Sequence, residues 1–92
     1  MTTRVEHQQD RQRFEIFDGD TLAGYSEYVE HDGVRDFNHT VTLPEFRGRG
    51  LAATITEFAL DDTRDAGAKV VPTCWFVRDF IAASDKYTDL LA

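Results

Sequence analysis

The stretch PEFRGRG, residues 44–50, separates two kinds of hydrophobic pattern. Before it, apolar residues tend to alternate with polar ones, as they do along a strand. After it, they recur at spacings of three and four, as on one face of a helix. Pro44 has no N–H for a sheet ladder and should end the pairing, and the two glycines free the backbone to turn into the helix. A sheet-forming first half joined to a helical second half is the frame these residues allow.

Residues 1–10 are polar and aperiodic, and read as a loose lead-in or an edge strand starting near Val5, ahead of a single domain over 11–92. From Arg13, Phe14 and Ile16 begin a strand that the turn DGD (18–20) ends. A second strand follows from Thr21 to Glu30, with HDG (31–33) as the next turn, and a third over 34–43 with Phe37, His39, Val41 and Leu43 on one face. Beyond the break, Leu51, Ala52, Ile55, Phe58 and Ala59 mark a helix that Gly67 closes, with Leu60 off the stripe. KVVPT (69–73) reads as a short buried strand, and Trp75 to Ser84 as a second helix with Phe76, Val77, Phe80 and Ile81 in its stripe. Tyr87 and Leu90 are expected to fold back onto the body. The class is α+β, or α/β by some schemes: an antiparallel meander followed by a βαβ unit whose last strand lies parallel to the third.

Ninety-two residues suit one core, and 41% hydrophobic content is too much for a disordered chain. The net charge of -7 argues against an electrostatic grip on nucleic acid or an anionic membrane. A single cysteine makes no internal disulfide, the N-terminus has no apolar signal core, and no stretch approaches the roughly 20 apolar residues of a membrane span. A soluble, cytoplasmic protein without a metal is the expectation.

RGRG at the entry to a helix lets amide N–H groups without intrahelical partners converge on one point, where the helix dipole, Arg47 and Arg49 favour an anion. A phosphate or pyrophosphate is the expected guest; a surface loop with solvated arginines is the other reading. Neither G-x-G-x-x-G nor G-K-[ST] is present, so the common nucleotide fingerprints do not apply.

Arg47-x-x-Gly50-x-Ala52 resembles the Q/R-x-x-G-x-G/A signature of the GCN5-related N-acetyltransferases, and it stands between a strand and the long helix, as in that fold. NHTVTLPEFRGRGLA and VVPTCWFVRDFI are also similar to stretches of a subgroup of very small members, with a His-Thr pair before the loop and a Pro-x-Cys after the next strand. This resemblance implies a minimal form of the fold with a splayed sheet, and acetyl-CoA as cosubstrate. The amides of Gly48, Arg49, Gly50, Leu51 and Ala52 would hold the pyrophosphate, with Arg47 beside them. The backbone of Val41, Thr42 and Leu43 would lie along the pantetheine arm, and the thioester would reach the splayed gap between the strand over 34–43 and the short strand over 69–73. The implied activity is acetyl transfer to a primary amine, either a small amine or a lysine of a protein or peptide. A non-catalytic acyl-CoA-binding or sensing module is the alternative, and a partner-binding domain with no CoA site is a third.

In that fold Cys74 would lie where the thioester arrives, although a lone cysteine is also an ordinary core residue. At a pKa of about 8.5 only about 3% of a thiol is ionised at pH 7, and a helix N-terminus supplies about 0.3 to 1 kcal/mol toward the roughly 2 kcal/mol needed for half ionisation. A second partner is required, and His39 is the candidate, as a base for Cys74 or for the incoming amine. Direct transfer and an acetylated Cys74 both remain open. His7 and His31 are expected to be solvated. The first strand of the meander runs straight into the second through DGD, leaving no inserted helices to build an acceptor pocket. The site should be open to a lysine, peptide or polyamine, or be walled by a second subunit, in a monomer or weak homodimer. The acidic excess favours cationic acceptors, with Arg47 and Arg49 dominating locally within a Debye length of about 8 Å.

Overall fold

In a computed structural model, which describes residues 2–92, five strands form one sheet in chain order. They are β1 (Thr3–Gln8), β2 (Arg13–Asp18), β3 (Thr21–His31), β4 (Val34–Thr42) and β5 (Lys69–Pro72). The first four pair antiparallel, and β5 joins parallel to β4 after the crossover helix α1 (Leu51–Asp65). A shorter helix, α2 (Trp75–Ala82), follows β5. The architecture is a small α+β fold, as the change of periodicity predicts. The polar lead-in is an edge strand that starts at Thr3 and pairs with β2 from Thr3↔Asp18 to Gln8↔Arg13.

Phe14, Ile16, Tyr28 and Phe37 of the sheet share one buried cluster with Leu51, Ile55 and Leu60 of α1 and with Val77 and Ile81 of α2. Leu60, off the expected stripe, is fully buried, whereas Phe58 is 42% exposed. The apolar arc of α1 is thus rotated toward Leu60. Tyr87 and Leu90 complete the core as expected, with the Tyr87 hydroxyl donating to Asp61 at 2.9 Å. The Ala92 amide donates to the Val70 carbonyl at 3.0 Å and ties down the chain end.

One residue changes which side chains face this core. The β3–β4 register steps from Tyr28↔Phe37 to Glu27↔His39, so Asn38 is the extra residue of a β-bulge. A one-residue insertion reverses the pleat beyond it. Phe37 therefore shares the core face with Thr40 and Thr42, which stand opposite Ser26 and Gly24, while His39 and Val41 take the other face. This corrects the expectation that Phe37, His39 and Val41 lie together. Apolar alternation alone cannot register an inserted polar residue.

The same region splays the sheet. Pairing of β4 with β5 covers only Val34 to Phe37, and the Cys74 amide makes a last bond to the Phe37 carbonyl at 2.8 Å. Residues 38–42 of β4 have no strand beside them on that edge among the described residues. The opposite face of the sheet is polar, with Arg13 Nε 3.1 Å from Glu15 Oε2 and its guanidinium 4.1 Å above the Tyr25 ring.

His31 is exposed, but His7 departs from expectation. Its imidazole is stacked on Phe14 at 4.0 Å, with Nε2 2.6 Å from the Tyr28 hydroxyl and Nδ1 3.4 Å from Asp62. Asp62 also accepts from the buried Arg35 at 2.9 Å, whose Nε donates to Glu30 at 3.0 Å. A guanidinium removed from water needs such partners.

Candidate functional site

Gly48 and Gly50 both have positive φ, 82° and 74°, in the left-handed region that costs an L-residue about 1 to 2 kcal/mol. A Cβ on either would meet nothing within 4 Å, so conformation and not contact calls for glycine. Gly50 is the N-cap of α1, and the first bond into the helix runs from the Thr54 amide to its carbonyl at 3.2 Å. The amides of Leu51, Ala52 and Ala53 therefore have no acceptor within the helix. They line a shallow pocket of about 280 Å³ with Thr42, Arg47 and, from α2, Phe76. Together with the helix dipole, these free donors offer chemistry that suits an anion.

The two arginines of the loop differ. Arg47 is exposed at the pocket. Arg49 turns away to Asp18, 2.8 Å from its carboxylate, and lies 5.1 Å above the Phe46 ring. The expectation that both place a full positive charge on the loop is thus corrected: Asp18 offsets the charge of Arg49.

Backbone direction also sorts the three residues expected beside a pantetheine arm. The Leu43 amide donates to the Ala23 carbonyl at 2.8 Å, and its own carbonyl accepts from Phe46 at 2.9 Å. Two residues earlier, the Val41 carbonyl points the same way, since a Cβ on Gly24 of β3 would sit 2.5 Å from it. Strand groups alternate in direction, so only Thr42 of the three turns both its N–H and C=O to the open edge. Val41 and Leu43 are occupied by β3 and the following turn because the bulge shifted the pleat.

Cys74 is the N-cap of α2 and is partly buried. Its Sγ lies 3.5 Å from Thr40 Oγ1, the thiol donating. Burial acts to raise the thiol pKa, but the Thr40 hydroxyl, which can turn to donate to the ionised sulfur, and the backbone amides of Val77, Phe76 and Thr40 outweigh it, and the net shift is downward. Cys74 Sγ closes no cap hydrogen bond to the amides at the start of α2. The second partner that the thiolate requires is therefore Thr40, and the expected His39–Cys74 pair is not formed. His39 is exposed on the other face, across from Glu27 and 6.3 Å from the Tyr25 ring. Thr40, Ala53 and Phe76 were not singled out by sequence reasoning. Only Thr40 carried a signal there, as the second member of the His-Thr pair.

The site thus joins a donor-rich helix entry, an open strand edge and a thiol beside Thr40, all along one gap in a mixed sheet. Residues 13–90 match the family model of the GCN5-related N-acetyl-transferases. The chain belongs to this family. Among curated relatives, Protein NATD1 of Xenopus tropicalis and that of Mus musculus are each 33% identical over 81 residues, covering 85% of this chain and 73% of theirs. The solution structure of a GCN5-like candidate N-acetyltransferase from Staphylococcus aureus has the same fold, with a TM-score of 0.73 at 19% identity over 97% of this chain and 87% of that one. A GCN5-related N-acetyltransferase from Kribbella flavida matches with a TM-score of 0.62 at 19% identity, over 79% of this chain but 22% of that larger one. As a GCN5-related fold, the chain keeps the sheet, the crossover helix and the splayed gap. Its β2 and β3 are joined by a tight turn, with Asp18 paired to Thr21.

Proposed function

We propose that this protein transfers the acetyl group of acetyl-CoA to a primary amine. The observation that carries the reading is the open edge of β4: donors at the entry of α1 lie at one end of it, and the Cys74 thiol lies at the other. Family membership supports acetyl transfer as the reaction. In the proposed complex the diphosphate rests on the amides of Gly50 to Ala53 near Arg47. The pantetheine amides pair with Thr42, and the thioester enters the gap beside Thr40 and Cys74. The amine nitrogen attacks the thioester carbonyl, a C–N bond forms and the C–S bond breaks. The amine proton passes to a base, and CoA leaves as a thiolate that takes up a proton. His39, on the face that no helix covers, is the proposed base for an amine arriving from that side.

The place of Cys74 at the entry of α2 beside Thr40, with its thiol pKa shifted downward, favours a second route, in which the Cys74 thiolate takes the acetyl group first and hands it to the amine. Intact mass after incubation with acetyl-CoA separates the two. An adduct absent from Cys74→Ala supports the relay, while turnover by Cys74→Ala near the natural rate supports direct transfer. For the function itself, calorimetry with acetyl-CoA is combined with CoA-thiol release across small amines, polyamines and lysine peptides. Binding with release supports the transferase, binding without release on any amine supports an acyl-CoA-binding module, and no binding overturns both.

A further inference from the structure

The two edges of the sheet are finished differently. Outside β5, Leu91 forms a parallel bridge to Val70 and the Ala92 amide donates to the Val70 carbonyl at 3.0 Å, so the chain end covers that side. At the opposite edge, β1 pairs with β2 without a break in register from Thr3 to Gln8 and holds neither a proline nor a bulge. The Gly19 amide donates to the Thr2 carbonyl at 3.0 Å. By the alternation of an antiparallel ladder, Arg4, Glu6 and Gln8 then turn their backbone groups to β2, while Thr3, Val5 and His7 turn theirs outward. None of these outward groups has a hydrogen-bond partner among the described residues. An edge of this kind is a template for another strand.

We infer that β1 pairs antiparallel with β1 of a second copy of this chain, about a two-fold axis through Val5. Charge selects this register. An axis at Arg4 sets that residue opposite itself, and an axis at Glu6 does the same for the carboxylate, so both make like-charge pairs. An axis at Val5 sets Arg4 of each copy opposite Glu6 of the other. Val5 then exchanges both backbone bonds with its counterpart, and Thr3 with His7, while Arg4 and Glu6 take the non-hydrogen-bonded positions where facing side chains lie closest. Within one chain Arg4 Nε is already 2.9 Å from Glu6 Oε2, so the four charges of the pair alternate in sign, and the two side chains keep 49% and 41% exposure for the approach. The Arg4 guanidinium also donates to the Gly19 carbonyl and lies 4.5 Å above the Phe17 ring. On the other face Val5, partly buried against the core, meets the second Val5.

The interface is small. Six residues from each copy along one strand pair bury less than the roughly 1,200 Å² of a standard stable complex, so the dimer is weak and depends on concentration. It joins two sheets into one, with β1 at the centre and both copies of β4 and β5 far from the join. The open β4 edge and Cys74 stay free in each copy, so the acetyl-transfer reading and this pairing stand or fall separately.

Sedimentation equilibrium on the whole chain should show a reversible monomer–dimer equilibrium, with dimer prominent above about 0.1 mM. Arg4→Glu or Glu6→Arg alone turns both cross-strand pairs into like-charge pairs and should weaken association about tenfold or more. Mixing the two single variants should form a heterodimer, and the double variant Arg4→Glu/Glu6→Arg should restore the natural association, because each again sets opposite charges across the axis. Hydrogen exchange gives a second readout on the natural chain. Protection of the Thr3, Val5 and His7 amides should rise with protein concentration, whereas the Arg4, Glu6 and Gln8 amides, already bonded to β2, should not change. A chain that stays monomeric to about 1 mM, or a dimer that neither single variant weakens, overturns the inference. So does a dimer whose Thr3, Val5 and His7 amides gain no protection. Should a single variant fail to fold, the exchange pattern of the natural chain decides the question alone.

Discussion

Phe37 and His39 lie two positions apart on β4 and face opposite sides of the sheet, because Asn38 is bulged between them. The ring of Phe37 is in the core, and the imidazole of His39 meets solvent beside Tyr25. Replacing His39 with Ala should therefore leave the pH profile of Cys74 alkylation unchanged. If His39 serves the amine, turnover falls about 10²-fold at saturating acetyl-CoA. Parallel alkylation and thiol-release assays check both halves, and a moved thiol midpoint would show that the imidazole reaches the sulfur.

The loop glycines act through conformation. Gly50→Val should weaken acetyl-CoA binding at least tenfold, because a β-branched residue resists the left-handed cap that aims the α1 amides. The cost to global stability should be about 1 to 2 kcal/mol, since the new Cβ meets nothing. Calorimetry below the melting transition, with urea unfolding alongside, measures both. Unchanged affinity would sink the proposed diphosphate site.

Burial lowers the pKa of His7 below 6.5, with Asp62 opposing the shift. Below pH 6.5 the unfolded chain binds a proton that the folded chain resists, so stability should decline as the pH falls from 6.5 through the lower folded value. His7→Phe keeps a flat ring against Phe14 and removes the titration. Urea midpoints between pH 7.5 and 5 should fall less steeply in that variant, and parallel slopes would contradict the assignment.

Leu60 and Phe58 offer a packing test on one helix. Leu60→Ala should cost about 2 to 5 kcal/mol, as for a fully buried leucine, and more than Phe58→Ala, whose ring is 42% exposed. Chemical denaturation of the two variants checks the order.

Much of the fold was legible before any coordinates. DGD and HDG end strands where turns form, Pro44 stops the pairing, and the stripe from Leu51 places α1. The glycine-built helix entry was legible for the same reason, since Gly48, Gly50 and the start of a helix are local features whose backbone geometry depends on few neighbours. The thiol's surroundings were not. Asn38 looks like any polar strand residue, yet as a bulge it exchanges His39 for Thr40 at Cys74 and leaves Thr42 as the residue with both backbone groups open. The pairing of Arg49 with Asp18 across 31 positions was equally invisible.

By itself, the order of residues determined the elements, their sequence and the helix entry that can hold an anion, because turn chemistry and periodicity act over a few neighbouring residues. Only the tertiary structure decided which face each side chain of β4 takes and what surrounds the single thiol. Those depend on register between strands, where one inserted residue reverses every side chain beyond it and leaves no trace in the local pattern.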